Sequence, residues 1–368
     1  MREGSMLKGK ARMLSIARLS LMLLCLAPLS VALGADADAE KNFDPEKQPP
    51  VKALVDSLST QGLSRNWLEA VMKEAHYRQE VLDAMAGAAE RNLRWDEYRN
   101  IFMKPARILR GAAFIATHKN AFDRAREEYG VPAEFIAAIL GVETDYGRVT
   151  GKHRVLDSLA TLAFHHPQRG GFFRRELAAF LTISHDEEVD PATLKGSYAG
   201  AMGYPQFIPT SYQAYAVDFD GDGHRDLWHN PVDAIGSIAN YFAVHGWREE
   251  EGVVLDAQGP EELPRDVAFN QTKPPYATLA SLGEKGIVPA GPEPLAGDRQ
   301  VIPLALDYAD DQYRYRLGLN NFYVITRYNH SHLYAMAVCE LADAIAQLRE
   351  KAETLSQPQP GKMQGANS

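Results

Sequence analysis

The chain has 368 residues, 45% hydrophobic and 24% charged, with a formal net charge of −9 at pH 7. That balance suits one large or two to three small globular domains and excludes a fibrous or wholly disordered protein. An acidic surface also argues against non-specific nucleic-acid binding, which depends on Lys and Arg neutralising phosphates.

In chain order, the first element is a basic-then-apolar stretch. Arg2, Lys8, Lys10, Arg12 and Arg18 precede the apolar run Leu19 to Leu33, which Pro28 interrupts. The run is short for a membrane span. Ala32, Leu33 and Gly34 before Ala35 read as a small-residue cleavage site, so residues 1–34 read as an export signal, with an uncleaved anchor as the competing reading. Leu24 precedes Cys25 where lipid attachment needs a small residue, which argues against a lipid anchor. Residues 1–34 carry five basic residues and one acid, so their removal takes the formal charge from −9 to −13. Cys339 is then the single cysteine and no intrachain disulfide can form. It lies on the apolar stretch YAMAVCELADAIAQL and reads as core packing.

Residues 35–50 are charged and proline-rich and read as a flexible leader. Residues 51–120 read as a helical domain, with Ser64 as an N-cap and Trp95, Tyr98 and Phe102 spaced near one helical turn. Ile108 to Tyr129 reads as one long helix ending at Gly130. A core unit follows over 121–247. In YGVPAEFIAAILGVETDYG, Pro132 suits a first helical turn. Phe135, Ile136, Ile139 and Leu140 form an apolar face. Glu143 falls four residues after Ile139 and seven after Ile136, on that same face. A carboxyl there loses hydration, which raises its pKa and favours the acid form that a general acid for glycosidic cleavage needs. The bland alternative is a helix-end glutamate in water or paired with an arginine.

Residues 157–164 and 172–183 read as two helices split by a turn at 166–171. Gly196, Gly200, Gly203, Pro205 and Pro209 mark a loop-rich segment, and Pro231 to Val244 returns to helix. Arg248 to Arg316 alternates strand-like runs with Pro- and Gly-rich loops, a small antiparallel β-module within 248–318. Residues 319–350 read as a return to helix, and 351–368 as a disordered tail.

Asp218, Asp220 and Asp222 alternate at positions 1, 3 and 5 of an EF-hand-like loop, with Gly223 at the turn and His224 at position 7. Position 12 is His229, which offers no bidentate carboxylate, and Asp233 would close a longer loop. Three convergent carboxylates are costly without a cation.

Four motifs in order resemble the B-type lytic murein transglycosylases: GVETDYGRVTGKHRVLDSLATLAF, GSYAGAMGYPQFIPTSYQAYAVDFDGDGHRDLW, DAIGSIANYFAVHGW and NFYVITRYNHSHLYAMAV. The resemblance runs from about Trp95 to Leu341. It implies an α+β, mainly α fold: a lysozyme-like helical core, a flanking helical domain, and a small antiparallel β-domain inserted before the last core helices. It makes Glu143 the sole acid/base. It places Ser197, Gln206, Tyr241, Tyr328, Asn329, Tyr98 and Arg169 on substrate, with Gln168 where the family has a second arginine. It makes Asp218, Asp220, Asp222, His224 and Asp233 an ion loop, with one extra residue at His229–Asn230, and it puts Pro205 where a glycine is common. No cofactor is implied for the chemistry; a structural Ca²⁺ or Na⁺ is implied for residues 218–233. The implied partners are peptidoglycan glycan strands and other cell-wall enzymes in the periplasm, with no nucleic acid and no membrane span after signal removal. A muramidase- or chitinase-type hydrolase on the same fold, and a non-catalytic wall-binding protein, remain the alternatives.

Overall fold

The computed structural model describes residues 43–87, 93–291, 296–309 and 312–356. The reading of 1–34 as a signal lies outside them, as do residues 35–42 of the leader and residues 357–368 of the tail read over 351–368. Fourteen helices are described. Three lie at the N-terminal side: α1 (Pro49–Thr60), α2 (Arg65–Glu74) and α3 (Gln79–Gly87). They are followed by α4 (Trp95–Phe102), α5 (Pro105–Thr117), α6 (Lys119–Tyr129) and α7 (Ala133–Thr144). After the short strand β1 (His153–Arg154) come α8 (Val155–His165) and α9 (Gly170–Asp186). Strand β2 (Lys195–Gly196) leads to α10 (Pro209–Tyr215) and α11 (Pro231–Val244). A β-layer follows, built from β3 (Val254–Gln258), β4 (Ala277–Thr278), α12 (Leu279–Gly283), β5 (Val288–Pro289), β6 (Gln300–Asp307) and β7 (Tyr313–Gly318). The chain then returns through α13 (Asn320–Tyr328) and α14 (His332–Ser356).

Helix α7 is the hub. Residues 136–141 are all buried, because α5, α6, α11 and α14 pack around it. A helix covered on every side needs apolar residues all round, not one stripe. Small residues set the approach distance: a Cβ on Gly141 would sit 2.6 Å from the Tyr146 hydroxyl and 3.0 Å from Leu341.

The five-stranded sheet is antiparallel, ordered β4-β6-β7-β3-β5. Strand β6 is buried on both faces by period-two alternation. Ile302, Leu304 and Leu306 join the main helical core, while Val301 and Ala305 join a second core with Leu279, Leu282 and Leu317. The sheet is thus fastened to the helices by one face and closed over its own small core by the other. Near α7, β1 pairs with β2, and Met202 bridges both Gly196 and Phe207. That patch forms one wall of the site described below.

Three expectations need correction. The leader does not stay flexible to residue 50: Phe43 is 1% exposed, packs 5.6 Å from Phe164 and 5.8 Å from His165, and α1 opens at Pro49. One aromatic outweighs its charged surroundings once it finds a cavity between helices. We expect Phe43→Ala to cost about 3 kcal/mol and to lower the thermal midpoint by several degrees, read by calorimetry. The long helix to Tyr129 is two, because His118 leaves helical geometry (φ −108°, ψ 30°) and turns the chain. The C-terminal return is also two helices. Asn329 to Ser331 breaks it, Ser331 Oγ accepts the Tyr334 N–H at 3.3 Å, and α14 runs on to Ser356, so residues 351–356, read as the start of a disordered tail, are helical.

Candidate active site

The site is built where α7 ends. Thr144 Oγ1 donates to Leu140 O (3.3 Å) and Tyr204 O (3.0 Å) and accepts from Gly147 N (3.0 Å). One hydroxyl therefore ties the helix end to the 197–207 loop. Asp145 (φ 51°) and Tyr146 (φ 62°) then turn the chain through two consecutive left-handed residues, a conformation that persists only when its surroundings enforce it. Here Arg110 grips Asp145 at 2.7 and 2.8 Å, and Arg107 lies 3.4 Å away. Asp145, the nearest acid in sequence to Glu143, is thereby committed to two arginines.

Glu143 sits at the base of a cleft of about 290 Å³. The cleft is bounded by Arg169, Phe172 and Phe173 from the start of α9, by Ala199, Ala201, Gln206 and Phe207 from the loop, and by Tyr241, Arg327, Tyr328, Asn329 and His330. Among the described residues, Glu143 is its one carboxylate. The residue reaches the cleft, but its carboxyl is enclosed, and that burial raises its pKa to about 7. Tyr334, from the first turn of α14, donates its hydroxyl to Glu143 Oε1 at 2.6 Å and pulls the pKa the other way. The Tyr334 phenol is itself held well above its ordinary pKa by burial and by Glu143, so it keeps its proton and remains a donor.

Six of the eight expected site residues line this cleft: Glu143, Arg169, Gln206, Tyr241, Tyr328 and Asn329. Gln206 adopts φ 51° and donates to Thr150 O (3.0 Å) and Gly203 O (2.9 Å), leaving a buried Oε1 with no hydrogen-bond partner. Tyr241 and Tyr328 line the cleft and spend their hydroxyls on backbone: Tyr241 on Arg327 O (2.7 Å), Tyr328 on Pro205 O (2.6 Å). Pro205 supplies only that carbonyl, so the lost N–H at this position costs nothing there. The Arg169 guanidinium lies over Phe172 and Phe173, at 4.8 and 5.2 Å from their ring centroids.

The other two are placed differently. Ser197 is 4% exposed, and its Oγ accepts from Ala199 N (3.2 Å) and Ala201 N (3.0 Å). It shapes the loop whose alanines face the cleft and does not line it. Tyr98 is 1% exposed and packs on Phe102; it acts on the site from behind, as part of the apolar surroundings of Glu143 and Tyr334. Sequence reasoning missed Tyr334 and Arg327. Both lie inside the NFYVITRYNHSHLYAMAV motif, and that was their only signal.

In the acidic loop, Asp218, Asp220 and Asp222 bring carboxylate oxygens within 4.8 Å of one another. Asp218 also accepts backbone N–H groups of Gly221 (2.7 Å) and Gly223 (2.8 Å), which lowers its pKa. Three hard anionic oxygens on one tight turn fit a hard cation such as Ca²⁺. The Asp233 carboxylate stands outside that trio, and His224 is expected to offer its backbone carbonyl rather than its ring. Asp233 is fully buried and accepts from Phe219 N and Asp226 N, both at 2.8 Å, so it fastens the two ends of the loop. The His224 ring lies 3.8 Å from Glu187.

A lone enclosed carboxylate, set among helices with a small sheet as one wall, is the layout of the lysozyme-like glycan-cleaving enzymes. Comparison with known proteins narrows that class. The transglycosylase SLT domain matches residues 46–343, and the chain belongs to the B-type lytic transglycosylases. It is 44% identical over 312 residues to membrane-bound lytic murein transglycosylase B of Escherichia coli, covering 82% of this chain and 84% of that protein. The crystal structure of soluble lytic transglycosylase SltB1 from Pseudomonas aeruginosa superposes with a TM-score of 0.76 at 45% identity, covering 82% of this chain and all of that one. The Escherichia coli lytic transglycosylase Slt35, solved in complex with calcium, superposes with a TM-score of 0.75 at 44% identity, covering 83% of this chain and 95% of its own.

Proposed function

We propose that this protein cleaves the glycosidic bond between N-acetylmuramic acid and N-acetylglucosamine in peptidoglycan without consuming water. The observation that carries the reading is Glu143, enclosed in the cleft as the one carboxylate among its described lining residues and raised by burial to a pKa of about 7, with Asp145 turned away into Arg107 and Arg110. Two-carboxylate glycosidases need a second acid as base or nucleophile. Where the cleft offers none, the nucleophile comes from the substrate. Glu143 gives its proton to the glycosidic oxygen as that bond breaks. Its carboxylate then takes the proton of the muramic C6 hydroxyl, whose oxygen attacks C1 and closes a 1,6-anhydro ring. The proton balance closes with Glu143 restored as acid, and the attack gains from being intramolecular. Tyr334 steadies the carboxylate between the two transfers, and the open Gln206 Oε1 offers an acceptor for a sugar amide N–H. Arg169 and Arg327 bring two cations to a cleft with one acid, which suits a polymer carrying carboxylates.

The test is product mass. Purified sacculi digested with the protein should release muropeptides one water lighter than hydrolysis products; ordinary reducing ends would make it a muramidase, and binding without products a wall-binding protein.

We also read Asp218, Asp220 and Asp222 as a structural calcium site that takes no part in the chemistry; the calcium-bound relative supports this. Chelation should lower the thermal midpoint by several degrees, equivalent to about 2–3 kcal/mol when the ion is well above its Kd, and added calcium should restore it. Asp218→Asn should abolish that difference. No helix among the described residues is long and apolar enough to cross a membrane. The N-terminal pattern supports export to the periplasm, which fractionation of cells producing the full chain would check.

A further inference from the structure

Outside the cleft, a hollow of about 410 Å³ lies where β1 runs into α8, lined by Arg78, Lys152, His153, Arg154, Asp157 and Ser158, with Glu80 at its rim. Its charges do not cancel. Asp157 is fully engaged: it accepts from His76 N (3.0 Å) and Arg78 Nε (3.0 Å), and Arg154 lies 3.3 Å away. Glu80 reaches only His153, at 3.9 Å. Lys152 is exposed and forms no ion pair among the described residues. Three full cations therefore face two carboxylates, with the surplus on the Lys152 side.

The second observation is Ser158. It is 0% exposed, lines the hollow, and its Oγ has no hydrogen-bond partner among the described residues. Buried helical hydroxyls usually turn back to the carbonyl four residues earlier. Ser184 does so in α9, to Phe180 O at 2.9 Å, and Thr144 in α7, to Leu140 O at 3.3 Å. Ser158 does not, and an orphaned buried hydroxyl costs about 1–3 kcal/mol. A hydroxyl donor, a free ammonium and the first turn of an eleven-residue helix together suit an oxyanion.

The hollow is also tied to the cleft. Gln206, in the cleft, donates to Thr150 O, and Thr150 to Arg154 is four residues, at most about 14 Å of extended chain. A short peptide hanging from a glycan strand in the cleft spans that distance. We infer that the hollow at the start of α8 is a carboxylate subsite for the peptide stems of the bound glycan, met by Lys152 and Ser158. The inference rests on peptidoglycan being the substrate.

The test uses the full chain carrying Glu143→Gln, which binds without turnover. It is titrated with a tetrasaccharide bearing tetrapeptide stems, and with the same tetrasaccharide stripped of stems by an amidase. Added Lys152→Glu should weaken binding of the stem-bearing glycan by about tenfold, and by at least about fivefold more than it weakens the stripped one. Added Ser158→Ala should weaken the stem-bearing glycan by about threefold. Its melting midpoint should not fall, because its hydroxyl has no bond to lose. Lys152→Arg should retain the parent affinity. Equal affinity of Lys152→Glu and parent for the stem-bearing glycan, or equal losses on both glycans, overturns the subsite while leaving the cleavage reading standing. A parent that binds neither glycan overturns the substrate reading and the subsite with it.

Discussion

Glu143→Gln should reduce turnover on sacculi by about 10³–10⁴-fold and at the same time make the protein more stable at neutral pH. The first half follows from the count of groups. Glu143 is the one carboxylate lining the cleft among the described residues, so the glutamine leaves none of them to protonate the leaving oxygen or to deprotonate the incoming hydroxyl. The second half follows from burial. The folded protein holds the Glu143 proton to about pH 7, whereas the unfolded chain releases it near the ordinary value of 4.5. Between those values the folded state binds more protons, so stability falls as pH rises through this window, and the loss is complete above pH 7. Glutamine keeps the shape and removes the titration. The gain at pH 8 should be about 1–3 kcal/mol, and it should shrink towards zero by pH 4. Calorimetry at the two pH values checks it. An inactive variant that melts earlier than wild type at pH 8 would show damage to the fold and would void the kinetic result. Full activity would remove Glu143 from the mechanism.

That Glu143 is an enclosed carboxylate was legible in the sequence. An apolar helix does not bury a carboxylate for its own benefit, and because α7 is covered on every side, a carboxylate near its end is enclosed whichever face it takes. The Asp218–Asp222 alternation was legible for a similar reason, since local spacing dictates local convergence. What could not be read depends on contacts between distant segments. Tyr334 lies 191 residues from the carboxylate it serves, and on α14 it looks like any other apolar-face tyrosine. Ser197 looked like a substrate contact, but its Oγ accepts the Ala199 and Ala201 N–H groups within its own turn and the residue does not line the cleft. The double covering of β6 was hidden too, because burial of its alternate residues in two different cores is decided by which elements close over each face. His118 could not be read as a break because the residues on both sides favour helix. Phe43 could not be read as an anchor because nothing in its charged neighbourhood announces the gap between helices that receives it.

Tyr334→Phe separates positioning from proton transfer. The substitution removes one hydroxyl from a residue 3% exposed and leaves the ring stacked on Tyr328, 6.4 Å away and nearly parallel at 9°. The hydroxyl donates to Glu143 Oε1 in the resting enzyme, and it matters most after the first transfer, when the carboxyl has become an enclosed anion. A hydrogen bond to a charged group contributes about 1.5–3 kcal/mol, so kcat should fall by about 10–100-fold with KM little changed. The pH profile carries the distinguishing sign. In wild type, kcat/KM should decline as pH rises past about 7, because the acid must hold its proton. The hydroxyl favours the ionised form, so its removal lets burial raise the pKa further and shifts the descending limb to higher pH. A structural defect would lower the whole curve without moving it. If the limb stays in place, or moves to lower pH, Tyr334 does not govern the Glu143 proton, and the lost rate must come from a displaced aromatic wall of the cleft.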